Sequence, residues 1–489
     1  MPYPDHPYRQ ATPDQLAVAA VAHGLVPPAP ATARVLELGC GAGGTLLAVA
    51  AAWPGATLVG VDADADAIAA ARALAAQAGL DATFVAADVR EIAWGRGRPA
   101  ENVRGVHRAA TPGPDLGTFD YVIAHGVYSW VAADVRDALL AAVRVHLAPG
   151  GLGYVSHAAL PAGHLLRVLR EAGQGWGGGV AGARELLAGP LAERAGAERD
   201  GDWYGAFLRH ELPPLLALEP EAWEADLFAP EWHPVWFHEF AAHLARHDLV
   251  YVGESRLLEP ATRVRRAGAQ ERLQAVAAGD RVVLEQLRDL ADGRHFREAV
   301  VAHLSRPDSR GLSPLVAPTQ GDCPPWGAPD ADALLALRFT ALDAPERPLP
   351  AHAEHAEAIA GLRARLLAAR PGFPVGGDLG VGGAVLREAL AHGQVLAHVD
   401  PPPAATPGER PTASPLARAQ AARGAPVTTL VGSVLALDPS AAALVTLLDG
   451  TRDRGALRAA LTERTGLELA PGVLDAVLDR LGRAQVLIA

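Results

Sequence analysis

Lysine is absent from this chain; every basic side chain outside histidine is arginine. With the excess of Ala, Gly and Pro, this reads as GC-rich coding rather than function. It has one chemical consequence: the chain offers no lysine side chain of its own to any reaction. Cysteine is nearly absent, with only Cys40 and Cys323 in 489 residues. That excludes a disulfide framework and a cysteine-built metal site. No apolar run approaches the length of a membrane span, so no membrane insertion is expected. Met1–Asp5 lacks a basic region leading into an apolar stretch, so a signal peptide is not expected and the location is read as cytoplasmic. The net charge of −12 argues against a general nucleic-acid surface, and no nucleic-acid partner is expected. What the chain has in quantity is core material, since half of it is apolar, though much of that is alanine. The length suits roughly two to four domains.

The most informative stretch is Val35-Leu36-Glu37-Leu38-Gly39-Cys40-Gly41-Ala42-Gly43-Gly44. It reads as an apolar strand, a glycine turn and an Ala-rich helix (45–52). Glycines at such a turn admit a ligand close to the backbone at the carboxyl end of a parallel strand. Gly39, Gly41 and Gly44 also fit the dinucleotide spacing G-x-G-x-x-G, so the turn alone is ambiguous. Cys40 needs only to be small there and is not read as a catalytic thiol. Glu37, two residues before the first glycine, shifts the balance toward S-adenosylmethionine. A second strand (57–61) ends in Asp62, whose carboxylate suits ribose hydroxyls in either ligand. A helix (64–78) and a third strand (82–86) lead to Asp88, placed to accept an adenine amine. Phe119–Ala124 is a fourth strand, and Pro149-Gly150-Gly151 opens a fifth.

Glu37, the glycine turn, Asp62, Asp88, the F-D-Y-V-I strand and the P-G-G turn together resemble class I S-adenosylmethionine-dependent methyltransferases. Longer stretches narrow the resemblance to members carrying a methyltransferase regulatory domain, some of which are bacterial protein lysine methyltransferases. Residues 2–13 are similar to that family's P-Y…P-F-x-Q-T-H-P signature, 124–131 to A-H-G-V-Y-S-W-V, 237–240 to F-H-E-F and 447–454 to L-L-D-G-x-R-D-R. Residues 413–418 fit the connecting segment. One departure stands at 156–164. The family reads S-Y-N-T-Y-P-G-W-H, this chain Ser156-His157-Ala158-Ala159-Leu160-Pro161-Ala162-Gly163-His164. The position is expected to face the transfer site, so the change alters the hydrogen-bonding groups near the acceptor.

The expected fold is α/β: a Rossmann-like class I methyltransferase sheet, a helical middle domain and a C-terminal winged-helix-like module. The core is read over 1–172, its sheet completed by 235–258. Helices fill 173–305, a Pro/Gly-rich linker 306–330, and the C-terminal domain 331–489. A Gly/Pro/Arg-rich surface loop is expected at 95–117. The capped helix 12–23 is placed over the cofactor mouth, with Asp5, His6 and Tyr8 in a lid or a tail. Residues 427–489 hold six Arg against seven Asp and Glu, a balance of −1. A groove-reading helix needs net positive charge, so this end is read as a protein-contact or packing module.

The resemblance implies S-adenosyl-L-methionine as cofactor, held by Glu37, Gly39, Gly41, Gly43, Asp62, Ala63, Asp88, Val89 and His125. His125, Tyr128 and Trp130 are the expected catalytic residues: His125 as cofactor contact or proton relay, Tyr128 bonding the acceptor, Trp130 walling a channel. The competing reading is a packed turn before the helix at 132–146. His243 and His247 share a helix face, but the H-E-x-x-H form is missing and the resemblance implies no metal, so they are read as partly exposed helix histidines. A protein lysine is the favoured acceptor. A small-molecule acceptor, or a cofactor-binding scaffold without turnover, are the alternatives, and a homodimer through the middle helices fits their apolar faces.

Overall fold

The computed structural model describes residues 6–93, 116–175, 178–196, 202–217, 223–224, 228–256, 268–304, 333–341, 355–369, 372–468, 470 and 472–488. Asp5, Cys323, the expected linker 306–330 and all but the end of the expected 95–117 loop lie outside them. A seven-stranded sheet forms the centre, in the order β3-β2-β1-β4-β5-β7-β6. Its strands are β1 (Arg34–Leu38), β2 (Thr57–Asp62), β3 (Thr83–Ala86), β4 (Phe119–Ala124), β5 (Leu147–Ala158), β6 (Leu249–Glu254) and β7 (Phe296–His303). The first five run parallel. β7 is antiparallel to β5 and to β6.

Both faces of the sheet are covered, which is why its strands read as unbroken apolar runs. Alternate residues enter two separate cores. Val35, Tyr121, Ile123, Tyr154 and Val300 join one; Leu36, Val122, Val155 and Val301 join the other. The first is filled by α1 (Pro13–Ala22), α2 (Gly44–Ala52) and α3 (Ala65–Ala78). α3 begins where the Asp64 carboxylate accepts from the amides of Asp66 and Ala67, and ends at the left-handed Gly79. It buries Ala67, Ile68, Ala71, Leu74 and Ala75, one stripe at helical spacing. The second core is filled by α4 (Ala133–His146) and α5 (Phe237–Arg246).

The helical reading up to residue 305 fails at its end. Residues 296–303 form β7, the strand that joins β6 to β5. The difference traces to Arg297, a side chain that discourages a strand assignment yet is fully buried. Its guanidinium meets Asp289 (2.9 and 2.8 Å), Glu285 (3.0 Å) and Glu254, and lies 4.1 Å from the Phe237 ring centre. Glu285 and Asp289 sit one turn apart on α6 (Arg281–Asp292). The cluster thus ties α6 to the edge of the sheet.

α1 is largely apolar because it packs on two sides. Leu16, Ala17, Ala19 and Ala20 face the sheet, while Val18 and Ala22 enter a separate core with Phe339, Ile359, Leu362 and Leu386. Buried Asp14 accepts from His398 Nδ1 (2.7 Å) and from the amides of Val399 (2.8 Å) and Asp400 (2.9 Å). α1 is therefore a wedge between two units. It does not cover the ligand mouth, as the sequence suggested; both its faces were needed for packing. At the C-terminus, helices Pro439–Leu447, Arg454–Thr465 and Val473–Arg483 form one core, and the strand Leu487–Ile488 pairs with Thr412–Ala413. The helix Pro415–Ala422 carries Leu416 and Ala419 into the core over α2 and α3. No helix among the described residues is long and apolar enough to cross a membrane.

Removing one partner from a buried ion cluster strands the others, at about 3–5 kcal/mol. Arg297→Leu should lose stability of that order in urea unfolding; a loss under about 1 kcal/mol, the range of an exposed pair, would contradict the cluster's role. Buried histidines set a pH dependence, His157 and His23 among them. Burial pushes His157 down to about 3 and His23 to about 4, from an ordinary 6.5. Both are neutral in the folded chain, and the unfolded chain takes up their protons as pH falls through 6.5. The urea midpoint should therefore fall steadily from pH 7 toward pH 4, and a midpoint that rises over that range would contradict these shifts.

Candidate active site

Strand order reverses at β1, whose neighbours β2 and β4 are reached by connections leaving in opposite directions. Such a reversal opens a crevice at the carboxyl ends of the strands. The glycine turn lies in it. The amides of Gly39 and Cys40 donate to Val61 O (2.8 and 3.2 Å), pinning the turn to the end of β2. Gly39 has φ +73°, and a Cβ there would stand 2.4 Å from Val127 Cγ2. Only glycine lets the turn after β1 approach the loop after β4 so closely.

The crevice deepens into a cavity of about 370 Å³. Of the expected cofactor residues, Glu37, Gly39, Gly41, Asp62, Ala63, Asp88, Val89 and His125 line it. Gly43 does not. Its φ is +84°, and a Cβ would come within 2.7 Å of the Phe84 ring, so its smallness serves packing against β3. The Asp62 carboxylate is held on both oxygens: Oδ2 accepts from Gly41 N and Oδ1 from Asp64 N, both at 2.8 Å. Asp88 caps the short turn Val89–Ile92 and pairs with Arg90 through Oδ1 (3.0 Å) and Oδ2 (2.7 Å). That hydrogen bonding to Arg90 holds the Asp88 carboxyl below its usual range. Oδ2, with one partner, has capacity for a further donor.

His125 sits at the mouth. Its Nδ1 lies 2.8 Å from the Tyr154 hydroxyl, and its ring stacks on Tyr8 at 3.8 Å between centres. Burial, with Arg256 nearby, pushes His125 down to about 3, so it is neutral at physiological pH. Tyr8 is placed by its amide, which donates to Thr45 Oγ1 (3.1 Å) in the first turn of α2. His6 and Tyr8 thus line the cavity, as does Trp130, whose ring lies 6.2 Å from the Phe296 ring. Val131, Val135 and Leu139, the last two on α4, form an apolar wall the sequence reading missed. The cue was available in the amphipathic pattern of α4, whose inner face reaches past the core into the crevice.

The segment 124–131 splits. His125, Gly126, Val127, Trp130 and Val131 face the cavity, whereas Tyr128 and Ser129 turn into the core. The cause is the 3-10 turn Tyr128–Trp130, which sends neighbouring side chains in different directions. Tyr128, expected at the acceptor, packs on Phe240 and places its hydroxyl 2.7 Å from His243 Nδ1. Burial pushes that phenol up to about 12. Ser129 Oγ accepts from Ala158 N (2.9 Å) and locks the turn to β5. The divergent segment 157–163 contributes nothing to the cavity lining. His157 stacks within the core on Phe240 at 4.0 Å, and Ala159 and Leu160 are tied by backbone bonds to His295 and Val235. His243 and His247, expected to be partly exposed, are buried, because both ring Nε2 atoms meet Asp137 Oδ1, at 3.1 and 2.9 Å.

Three family descriptions match the chain: a methyltransferase domain over 36–152, a predicted methyltransferase regulatory domain over 225–303, and a "PKMT, C-terminal winged helix domain" over 409–468. An uncharacterized protein of Rickettsia prowazekii is 28% identical over 308 residues, covering 62% of this chain and 52% of that protein. A second from the same organism is 30% identical over 175 residues, 35% of this chain and 61% of that protein. The chain thus spans roughly half the length of these curated relatives, at 52% and 61%. Among solved structures, PKMT2 from Rickettsia typhi in complex with AdoHcy shares the fold with a TM-score of 0.78 at 20% identity, each chain covered at 100%. Another structure of PKMT2 gives 0.75 at 19% identity with the same coverage. In its domain composition the chain is a methyltransferase-domain protein that joins a methyltransferase regulatory domain to a PKMT-type C-terminal winged helix.

Proposed function

We propose that this chain transfers a methyl group from S-adenosylmethionine to a lysine side chain of another protein. The observation that carries the reading is the Asp62 carboxylate, fixed by two backbone amides and facing a cavity at the switch point of the sheet. Two adjacent hydroxyls of a ribose suit such a carboxylate. Asp88 and the Val89 backbone suit the adenine edge, and Val131, Val135 and Leu139 its faces. Glu37 at the end of β1 suits the cationic methionine end, beside the open backbone of Gly39 and Gly41. The AdoHcy bound to the Rickettsia typhi protein supports the same cofactor class.

The cofactor, when bound, supplies the electrophilic methyl carbon; the chain's task is alignment and desolvation. A free lysine has pKa near 10.4, so exposing its lone pair at pH 7 costs about 4–5 kcal/mol at roughly 1.4 kcal/mol per pH unit. Tyr8, His125 and Trp130 line the mouth with rings, and an ammonium group entering among them sheds water and is driven toward its neutral form. The amine lone pair then forms the new N–C bond as the S–C bond breaks, and the surplus proton leaves to solvent. His125 is too weak a base to hold that proton, so its part is to orient, through Tyr154. The scaffold reading drew on the altered 157–163 segment, and no residue of that segment lines the cavity.

Asp62→Ala should weaken S-adenosylhomocysteine binding by roughly 100-fold, the value of hydrogen bonds to a charged acceptor. Calorimetry showing unchanged affinity would refute the ribose assignment. Incubation of the purified chain with methyl-labelled cofactor and a cell lysate tests the acceptor. Because the chain has no lysine side chain, self-labelling cannot contribute methyllysine. Labelled protein that hydrolyses to methyllysine is the expected result. A labelled small product would replace it with small-molecule transfer, and no label despite tight cofactor binding would replace it with a non-turnover role.

A further inference from the structure

Behind the cavity wall lies a second cluster that the proposed reaction does not use. His243 lies in the last turns of α5 and His247, one turn on, caps its C-terminus, and Asp137 faces them from α4. The Nε2 atoms of both rings approach the same carboxylate oxygen, at 3.1 and 2.9 Å, and all three ligand atoms lie within 4.8 Å of one another. We infer that Asp137, His243 and His247 form a binding site for a divalent transition-metal ion of the zinc type, which clamps α4 to α5.

Two of the three ligand separations, 3.1 and 2.9 Å, fit such an ion. A cation held at about 2.0–2.2 Å by nitrogen and oxygen sets neighbouring ligand atoms about 3.0–3.5 Å apart. Two imidazoles and one carboxylate favour zinc, cobalt or nickel over magnesium or calcium, which take oxygen ligands. Paired histidines at i and i+4 on one helix face are a recurrent zinc-binding spacing. The outer contacts fit as well. The Tyr128 hydroxyl, 2.7 Å from His243 Nδ1, accepts from that nitrogen when Nε2 turns its lone pair to a metal. Such a partner fixes the ring and its tautomer. Both histidines are buried, while the Asp137 side chain keeps 23% of its surface exposed, so the cluster reaches solvent through the carboxylate. Arg136, whose guanidinium lies 5.8 Å from the Tyr128 ring centre, is a nearby positive charge whose repulsion the three ligands must offset. α4 also carries Val135 and Leu139 in the cavity wall, so the ion would stiffen the wall that faces the cofactor.

The competing reading is a hydrogen-bonded lock, with both Nε2–H groups donating to Asp137. Asp137→Asn separates the two, since the amide oxygen still accepts those bonds but no longer supplies an anion. The full chain, stripped with chelator and dialysed, is titrated with Co²⁺ and followed by visible absorption, then with Zn²⁺ and followed by melting temperature. The expected result is cobalt uptake with a spectrum of nitrogen and oxygen ligands, displacement by zinc, and a raised melting temperature. Asp137→Asn and His247→Gln should each lose at least about 10-fold in cobalt affinity, and Tyr128→Phe about 10-fold through the outer contact. No cobalt uptake, or equal uptake by the wild type and Asp137→Asn with both folded by circular dichroism, would overturn the site and leave the hydrogen-bonded lock.

Discussion

Strand β1 is paired on both sides, to β2 through Leu36↔Val59 and to β4 through Leu36↔Val122, and the chain leaves those neighbours in opposite directions. The crevice at its carboxyl end follows from that reversal, and the other features of the site answer to it. The turn at Gly39 must be glycine because Val127, arriving from β4, occupies the space a Cβ would take. Asp62 faces the crevice because β2 ends level with the turn, where Gly41 and Asp64 amides can hold its carboxylate. Asp88 stands one strand further out, at the end of β3. On the proposed reading, the order of these acids in the chain is the order of groups along one elongated ligand.

The remainder of the chain holds this edge rigid. Antiparallel β7 and β6 extend the sheet beyond β5, and the buried Arg297 cluster binds α6 to them. α1 wedges between the sheet and the unit around Phe339, and Asp14 fastens it to residues 398–400. Immediately before α1, Tyr8 reaches back to stack on His125. The N-terminal border of the cavity is therefore anchored by the packing of the C-terminal half. Arg9, next to Tyr8, also meets Ser433 at 3.4 Å. A protein acceptor would meet a mouth whose position both halves of the chain determine.

Much of this was legible in the sequence, for stated physical reasons. Parallel strands buried on both faces leave apolar runs punctuated by Gly and Asp, so β1 to β5 and their terminal acids could be read directly. β7 could not, since Phe296-Arg297-Glu298 looks solvent-facing until Glu254, Glu285 and Asp289 are brought around the arginine. His125 and Trp130 line the cavity whereas Tyr128 does not, because a tight turn reverses direction within a few residues. The burial of His243 and His247 likewise depended on Asp137, distant in sequence and adjacent in space.

The central claim is that the cavity at the end of β1 receives S-adenosylmethionine with its ribose on Asp62. A crystal structure of the chain with S-adenosylhomocysteine tests it most directly. The account predicts the ribose hydroxyls on the Asp62 carboxylate, adenine against Val135 and Leu139, and the sulfur toward the Tyr8–His125 pair. A ligand bound elsewhere, or one in this cavity with its ribose away from Asp62, would contradict it.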